Sequence, residues 1–135
     1  ESAAMADKVA RYCRYELVEL SGRRKPYIVP QHTTIYDAGP IDFVSLFYNA
    51  EYIVTDSFHG TVFSLLFHKK FISLANKKRG GRITGLLEAV GLLHHCTDRF
   101  DRKIVLEEIA WDEVDRRLEE MRAASMDYIM RVIGE

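Results

Sequence analysis

Helix-like and strand-like segments alternate along this chain, which places it in the α/β class with a parallel sheet flanked by helices. Two further observations support that class. Tyr52-Ile53-Val54-Thr55 is a short β-branched and aromatic run suited to a buried strand, and a similar run, Phe71–Ala75, follows it closely. The stretch between them, with Val62, Phe63, Leu65, Leu66 and Phe67, is too densely apolar for a surface helix and suits a short buried one. Strand, helix and strand in so few residues make a compact βαβ crossover.

The elements before this unit follow in order. Residues 2–13 read as a helix, with Met5, Val9 and Cys13 on one face. Tyr15–Leu20 alternates apolar and polar residues, as a strand does. Ser21-Gly22-Arg23-Arg24-Lys25-Pro26 reads as a basic turn, Tyr27–Val29 as a short extended piece, and 30–38 as irregular or briefly extended. Gly39-Pro40 opens a helix, because proline suits the first helical position and Asp42 puts a negative charge in the first turn. Phe43, Leu46, Phe47 and Ala50 form its inward stripe.

After the crossover helix, expected over 60–68, and the strand 71–75 comes a basic loop, Asn76–Gly81. A helix over 82–91 turns Ile83, Leu86, Leu87 and Val90 inward and stops near Gly91. Leu92–Glu108 is mixed in character, and a strand at Ile104–Leu106 is the one element it suggests. Trp111–Ile133 is helical, with a break expected near Ser125 and Gly134 as the stop. The 111, 114, 118, 121 stripe and the aromatic residues of 43–71 read as packing contacts, because their spacing follows the helices.

Composition bounds the function. The 135 residues suit one domain, 1–135, large enough to bury a core. A net charge of −1 gives no reason to expect nucleic acid as a partner. No apolar run approaches a membrane span, and no signal peptide is visible. The two cysteines, Cys13 and Cys96, suggest no disulfide framework and fit a reducing, cytoplasmic setting. The start at Glu1, directly in helix-forming sequence, suggests a piece of a longer protein.

The residues that carry chemistry cluster at Thr55-Asp56-Ser57-Phe58-His59-Gly60-Thr61, the strand-to-helix turn. In open α/β sheets ligands bind outside the carboxyl ends of the strands. A helix N-terminus there offers free N–H groups and a positive dipole end to an anion. His59 can transfer a proton near neutrality, or can serve as a turn histidine bonded to backbone. Ser57, Gly60 and Thr61 can cradle an anion, while Asp56 or Ser57 can equally cap the helix.

Residues 69–82 carry Lys69, Lys70, Lys77, Lys78, Arg79 and Arg82 with no acidic residue. Lys69, Lys70 and Lys78 read as solvated. Arg79 or Arg82 is the candidate for an anionic ligand, since arginine makes two-pronged contacts to carboxylate and phosphate. His94-His95-Cys96 is not read as a metal site, because adjacent residues rarely share one tetrahedral ion and no second ligand cluster is visible.

The segment from Ala50-Glu51-Tyr52 through Asp56-Ser57-Phe58-His59-Gly60-Thr61 to Leu65-Leu66-Phe67 resembles the signature of polysaccharide pyruvyl transferases. Lys69, Phe71-Ile72-Ser73-Leu74, Arg82-Ile83, Leu86-Leu87 and Gly91-Leu92 continue the pattern, so the resemblance is strong over 36–93. Lys70 stands where many members have proline. The resemblance implies a Rossmann-like C-terminal lobe similar to that of GT-B glycosyltransferases, with an absent N-terminal lobe completing the active site. It implies transfer of the enolpyruvyl unit of phosphoenolpyruvate to hydroxyls of a cell-envelope or exopolysaccharide glycan, or of a lipid-linked sugar, closing a pyruvate ketal without a further cofactor. The setting would be the cytoplasm or the inner face of the membrane.

His59 then falls on the family's functional histidine, Ser57, Gly60 and Thr61 on the donor turn, and Arg79 or Arg82 on the basic loop beyond. The isolated lobe would be inactive. Two rivals share the architecture. A sugar-nucleotide-dependent glycosyltransferase lobe would need a carboxylate for ribose, such as Glu88, and a non-catalytic lobe would bind or assemble without using the histidine.

Overall fold

The computed structural model describes residues 2–20, 32–35, 40–75 and 80–134. The order is α1 (Ser2–Cys13), β1 (Leu17–Leu20), β2 (His32–Ile35), α2 (Pro40–Asn49), β3 (Tyr52–Thr55), α3 (Phe58–Leu66), β4 (Lys70–Ser73) and α4 (Gly80–Ala89). A 3-10 turn (Leu93–His95), the short α5 (Arg102–Val105) and the long α6 (Trp111–Gly134) complete it. The expected extended piece at Tyr27–Val29 lies outside the described residues.

The class is α/β and the pairing is parallel, as expected. The single sheet is corrected: among the described residues the strands form two separate parallel pairs, β1 with β2 and β3 with β4. Helix α1 packs against both β1 and β3. Between them a cleft of about 640 Å3 runs past Val9, Leu17 and Ile53 to Thr55 and Ser57, so the unpaired edge of β3 faces β1 across open space rather than through a ladder.

The β3–β4 pair is the centre of the molecule, with Tyr52 opposite Lys70 and Thr55 opposite Ser73. Side chains alternate between the two faces of a strand, and here both faces are covered. On one side Ile53 and Phe71 join Phe47, Leu65, Ile83, Leu87, Val90, Leu92, Ile109 and Val114. On the other, Ile72 and Leu74 join Met5, Val9 and Val105, with Tyr52 and Val54 against them. Burial on both faces explains why these strands read as continuous apolar runs rather than alternating ones.

Three expected elements differ. The crossover helix starts at Phe58, because Ser57 caps it, and it ends where His68 adopts a left-handed φ of 55°. His68 is held there by stacking on Trp111 at 4.9 Å and by Asp115, 2.9 Å from its Nε2. The strand suggested at Ile104–Leu106 is instead α5. The Asp101 carboxylate accepts the Lys103 N–H at 2.9 Å, which caps a helical turn, and Val105 is buried against α1 and β4 from that turn. The break expected near Ser125 is absent: α6 runs unbroken from Trp111 to Gly134. Glu113 and Glu120 pair with Arg116 one turn away, and Glu113 also holds Arg117, while Ala123 and Ala124 are strong helix formers. The core stripe of α6 fades within it, from buried Val114 through half-buried Leu118 to exposed Met121.

Two outcomes test this packing. Leu87→Ala, at a fully buried position, is expected to cost about 2–5 kcal/mol in urea unfolding, whereas Met121→Ala should stay within about 0.5 kcal/mol. Hydrogen bonds from Arg116, then Arg117, hold the exposed Glu113 carboxyl down to about 2. A carboxyl lowered on folding contributes stability above its unfolded value and loses it as pH falls through the folded one. Carboxyl NMR in an acid titration should therefore show Glu113 still ionised after ordinary glutamates have protonated.

Candidate functional site

The carboxyl end of β3 leads directly into the turn that carries His59. Thr55 Oγ1 accepts the Ser57 N–H at 3.1 Å, and this draws the chain sharply over the end of the strand. Ser57 is extended, with φ −100° and ψ 137°, and its Oγ accepts the Gly60 N–H at 3.3 Å. That is an N-cap, and it satisfies one of the donors that a helix start leaves open. The Thr61 N–H bonds Ser57 O at 3.0 Å as the helix begins.

Gly60 and Thr61 seat α3 against the sheet. A Cβ added at Gly60 would lie 2.3 Å from Thr55 Oγ1, the atom that holds the turn, so no side chain fits there. The Thr61 hydroxyl is fully buried and donates to Ser57 O at 2.9 Å. Its one proton is thereby used, so at the 2.8 Å contact between the two hydroxyls Ser73 must be the donor and Thr61 the acceptor. Ser64, also fully buried, bonds Gly60 O at 2.8 Å. The face of α3 over the β3 end is therefore made of small residues. The Thr61 hydroxyl and the Gly60 N–H have partners inside the turn, whereas the exposed Ser57 hydroxyl accepts from Gly60 and keeps its own proton to donate.

What remains outward is a different set. No acceptor among the described residues meets the N–H groups of Phe58 and His59. The His59 side chain is exposed and has no hydrogen-bond partner among the described residues. The Arg82 guanidinium, in the first turn of α4, lies over the Phe58 ring at 4.1 Å from its centroid, a cation–π geometry. Phe58 thus links the two parts that the sequence suggested separately, the histidine turn and the basic segment. Arg79, with Asn76, Lys77 and Lys78, lies outside the described residues.

Reading every aromatic of 43–71 as core is corrected at two positions. Phe58 packs inward yet carries Arg82 on its face, and Tyr48 is 64% exposed with the Lys69 ammonium 5.7 Å from its ring. Both rings sit at helical spacing, so periodicity alone could not separate them from core. The cue available was the number of cations nearby without acidic partners. Lys70 is matched from far along the chain, by Glu108 at 2.9 Å. Glu88, the carboxylate considered for a ribose, is exposed in the last turn of α4, at the opposite end of that helix from Arg82.

A second cluster was missed. His95 is buried, its ring stacks on Phe71, and its Nδ1 lies 3.0 Å from Phe71 O. Its Nε2 and that of His94 both reach Glu107, which folds back from beyond α5. The premise that no further ligand accompanies the histidine pair is therefore corrected, because Glu107 is remote in sequence and close in space. Burial pushes the Glu107 carboxyl up, but hydrogen bonds from His95 and His94 outweigh it and hold the group below its usual value. Nearby, the Tyr52 hydroxyl is buried without a partner among the described residues. Burial, then the charges of Cys13, Tyr15 and Glu107, raise its pKa.

The family model for polysaccharide pyruvyl transferases matches residues 5–78, from within α1 through the whole β3–α3–β4 unit. The chain belongs to that family. The match begins further upstream than the motif residues suggested, taking in β1 and β2, and it stops short of Arg79 and Arg82. The pyruvyl transferase turn, 55–61, lies wholly inside it. No curated protein and no solved structure gave a match. No helix among the described residues is long and apolar enough to cross a membrane.

Two substitutions test the frame of the turn. Gly60→Ala pushes a methyl group onto Thr55 and is expected to cost about 1–3 kcal/mol as an overpacked contact. Thr61→Val keeps the shape but leaves the Ser73 hydroxyl without its acceptor, for about 1–3 kcal/mol. Urea unfolding measures both.

Proposed function

We propose that this chain is the donor-binding part of a pyruvyl transferase that moves the pyruvyl unit of phosphoenolpyruvate onto hydroxyls of a glycan or lipid-linked sugar. The observation that carries this reading is Arg82 lying on Phe58 beside the open N-terminus of α3, with the exposed His59 in the same turn. A cation in the first turn of a helix opposes the helix dipole. A bound anion would offset that cost, and here Arg82 has no carboxylate partner among the described residues.

Phosphoenolpyruvate is small and highly anionic, and it needs several fixed positive or N–H donors. The free N–H groups of Phe58 and His59 would take phosphate or carboxylate oxygens, with Arg82 as the two-pronged cation and Arg79, close before it in sequence, as a second. Gly60 and buried Thr61 then act by holding the turn, while Ser57 caps it and has its hydroxyl proton available to the donor.

His59 is the acid/base group of this proposal. One sugar hydroxyl adds to C2 of the enolpyruvyl unit while C3 gains a proton, converting the methylene to a methyl group. Phosphate leaves with the C2–O bond, giving oxocarbenium character at C2, and a second hydroxyl closes the ketal. Of the two hydroxyl protons, one is balanced by that gained at C3 and the other leaves with phosphate. An imidazole in reach can deliver the first and collect the second, and fixed donors around the phosphate stabilise its departure. A second lobe, as in GT-B-type enzymes, would bring the acceptor, and a phosphoenolpyruvate donor would put the reaction in the cytoplasm.

In the full-length enzyme, His59→Ala is expected to lower turnover by roughly 10²–10⁴-fold, the range for general acid/base groups. Folding should be intact, because the side chain is exposed. Arg82→Ala should raise the KM for phosphoenolpyruvate more than it lowers kcat. Full activity in the His59 variant would remove the acid/base role. A sugar nucleotide that shifted the amides of 57–62 and 80–83 more than phosphoenolpyruvate did would favour a glycosyltransferase instead.

A further inference from the structure

We propose that His94, His95 and Glu107 form a binding site for one divalent transition-metal ion of the zinc class, behind β4 and apart from the His59 turn. The starting point is the proton on His95. Its Nδ1 faces Phe71 O at 3.0 Å, and a carbonyl oxygen only accepts, so Nδ1 carries a hydrogen. In the neutral ring Nε2 is then a bare lone pair. It points at Glu107 Oε2 from 2.7 Å, and that oxygen is an acceptor as well. Two acceptors at this distance require something positive between them, either a proton or a metal ion.

His94 favours the metal. A proton on His95 would satisfy the His95–Glu107 contact by itself and would need no second imidazole. Yet the 3-10 turn over Leu93–His95 brings two consecutive histidines to one side, with ring centroids 4.6 Å apart. His94 Nε2 lies 3.0 and 2.8 Å from the two oxygens of the same carboxylate. One donor atom from each of the three residues lies within 4.8 Å of the others.

Two imidazole nitrogens and a carboxylate are a zinc ligand set that leaves a fourth position for water. The bond from His95 Nδ1 to a backbone carbonyl is the kind of outer contact that fixes the tautomer and aim of a metal-binding histidine. Ligand atoms about 2.0–2.1 Å from a tetrahedral ion are about 3.3 Å apart. The two histidine–carboxylate contacts of 2.7–3.0 Å need to open by a few tenths of an ångström, and the two imidazole nitrogens, within 4.8 Å of each other, to settle at that spacing.

The burial pattern says what the ion would do. His95 is 1% exposed, while the His94 and Glu107 side chains are 45% and 37% exposed. The ion would sit at the surface end of a buried ligand, fastening the turn after α4 to the segment between α5 and α6. Both pieces rest on β4, through the His95–Phe71 bond and through the Lys70–Glu108 pair. The role is that of a clasp on the C-terminal segment, independent of the pyruvyl transfer chemistry.

The test is equilibrium dialysis of purified full-length protein against micromolar free Zn2+, with metal counted by atomic emission and unfolding followed thermally. The wild type should retain one ion per chain and melt at a higher temperature with Zn2+ than after chelation. His94→Ala and Glu107→Gln, at half-exposed positions that leave buried His95 in place, should lose both the ion and the shift. No retained Zn2+ in the wild type would overturn the site and leave a protonated His95 paired with Glu107. Retention in the variants equal to wild type would overturn it too, by placing the ion on other surface groups such as His68 and Asp115.

Discussion

The close approach of α3 to the ends of β3 and β4 is the constraint on which the rest of the site depends. Gly60 sits against Thr55 with no room for a methyl group, and Thr61 is tied to both Ser57 and Ser73. These contacts fix the rotation of α3 about its own axis. With Gly60, Thr61 and Ser64 turned to the sheet, Phe58 and His59 are left at the open rim of the first turn. Leu65, one residue on, drops into the core beside Phe71. A larger residue on that face would lift the helix and turn the rim away from Arg82.

Several cations elsewhere in the described structure are met by carboxylates, and the contrast with Arg82 gives the rim its character. Lys70 is neutralised by Glu108, and Arg116 and Arg117 by Glu113. Lys69 lies over Tyr48. Arg82 is positioned by an aromatic face instead, which orients a guanidinium without cancelling its charge. An arginine held in this way loses little side-chain freedom on meeting an anion, and its field is not spent on a carboxylate.

The β3–α3–β4 unit was legible in the sequence because its signals are local: two β-branched runs, a small capping residue and a glycine at the turn. The class and the parallel pairing followed from the same signals. The separation into two strand pairs was not legible, since whether β1 meets β3 depends on how α1 seats between them. The turn at Arg102–Val105 misled because Ile104 and Val105 favour strands by type, while one Asp101 side chain decides for the helix. At the site, the motif singled out His59 and the basic segment but not Phe58, the residue that joins them. Glu107 could not be found from composition, because its distance to the histidines is set by the path of the chain around α5.

The division of labour within residues 57–61 has an evolutionary consequence. The residues that hold the turn, 57, 60 and 61, do so through contacts inside the fold, whereas His59 projects outward and meets none of them. A lineage could exchange the histidine in a single step without disturbing the scaffold, and could regain it as readily. With the acid/base role proposed for His59, descendants alike in architecture and in most of the motif would differ in whether they turn over at all.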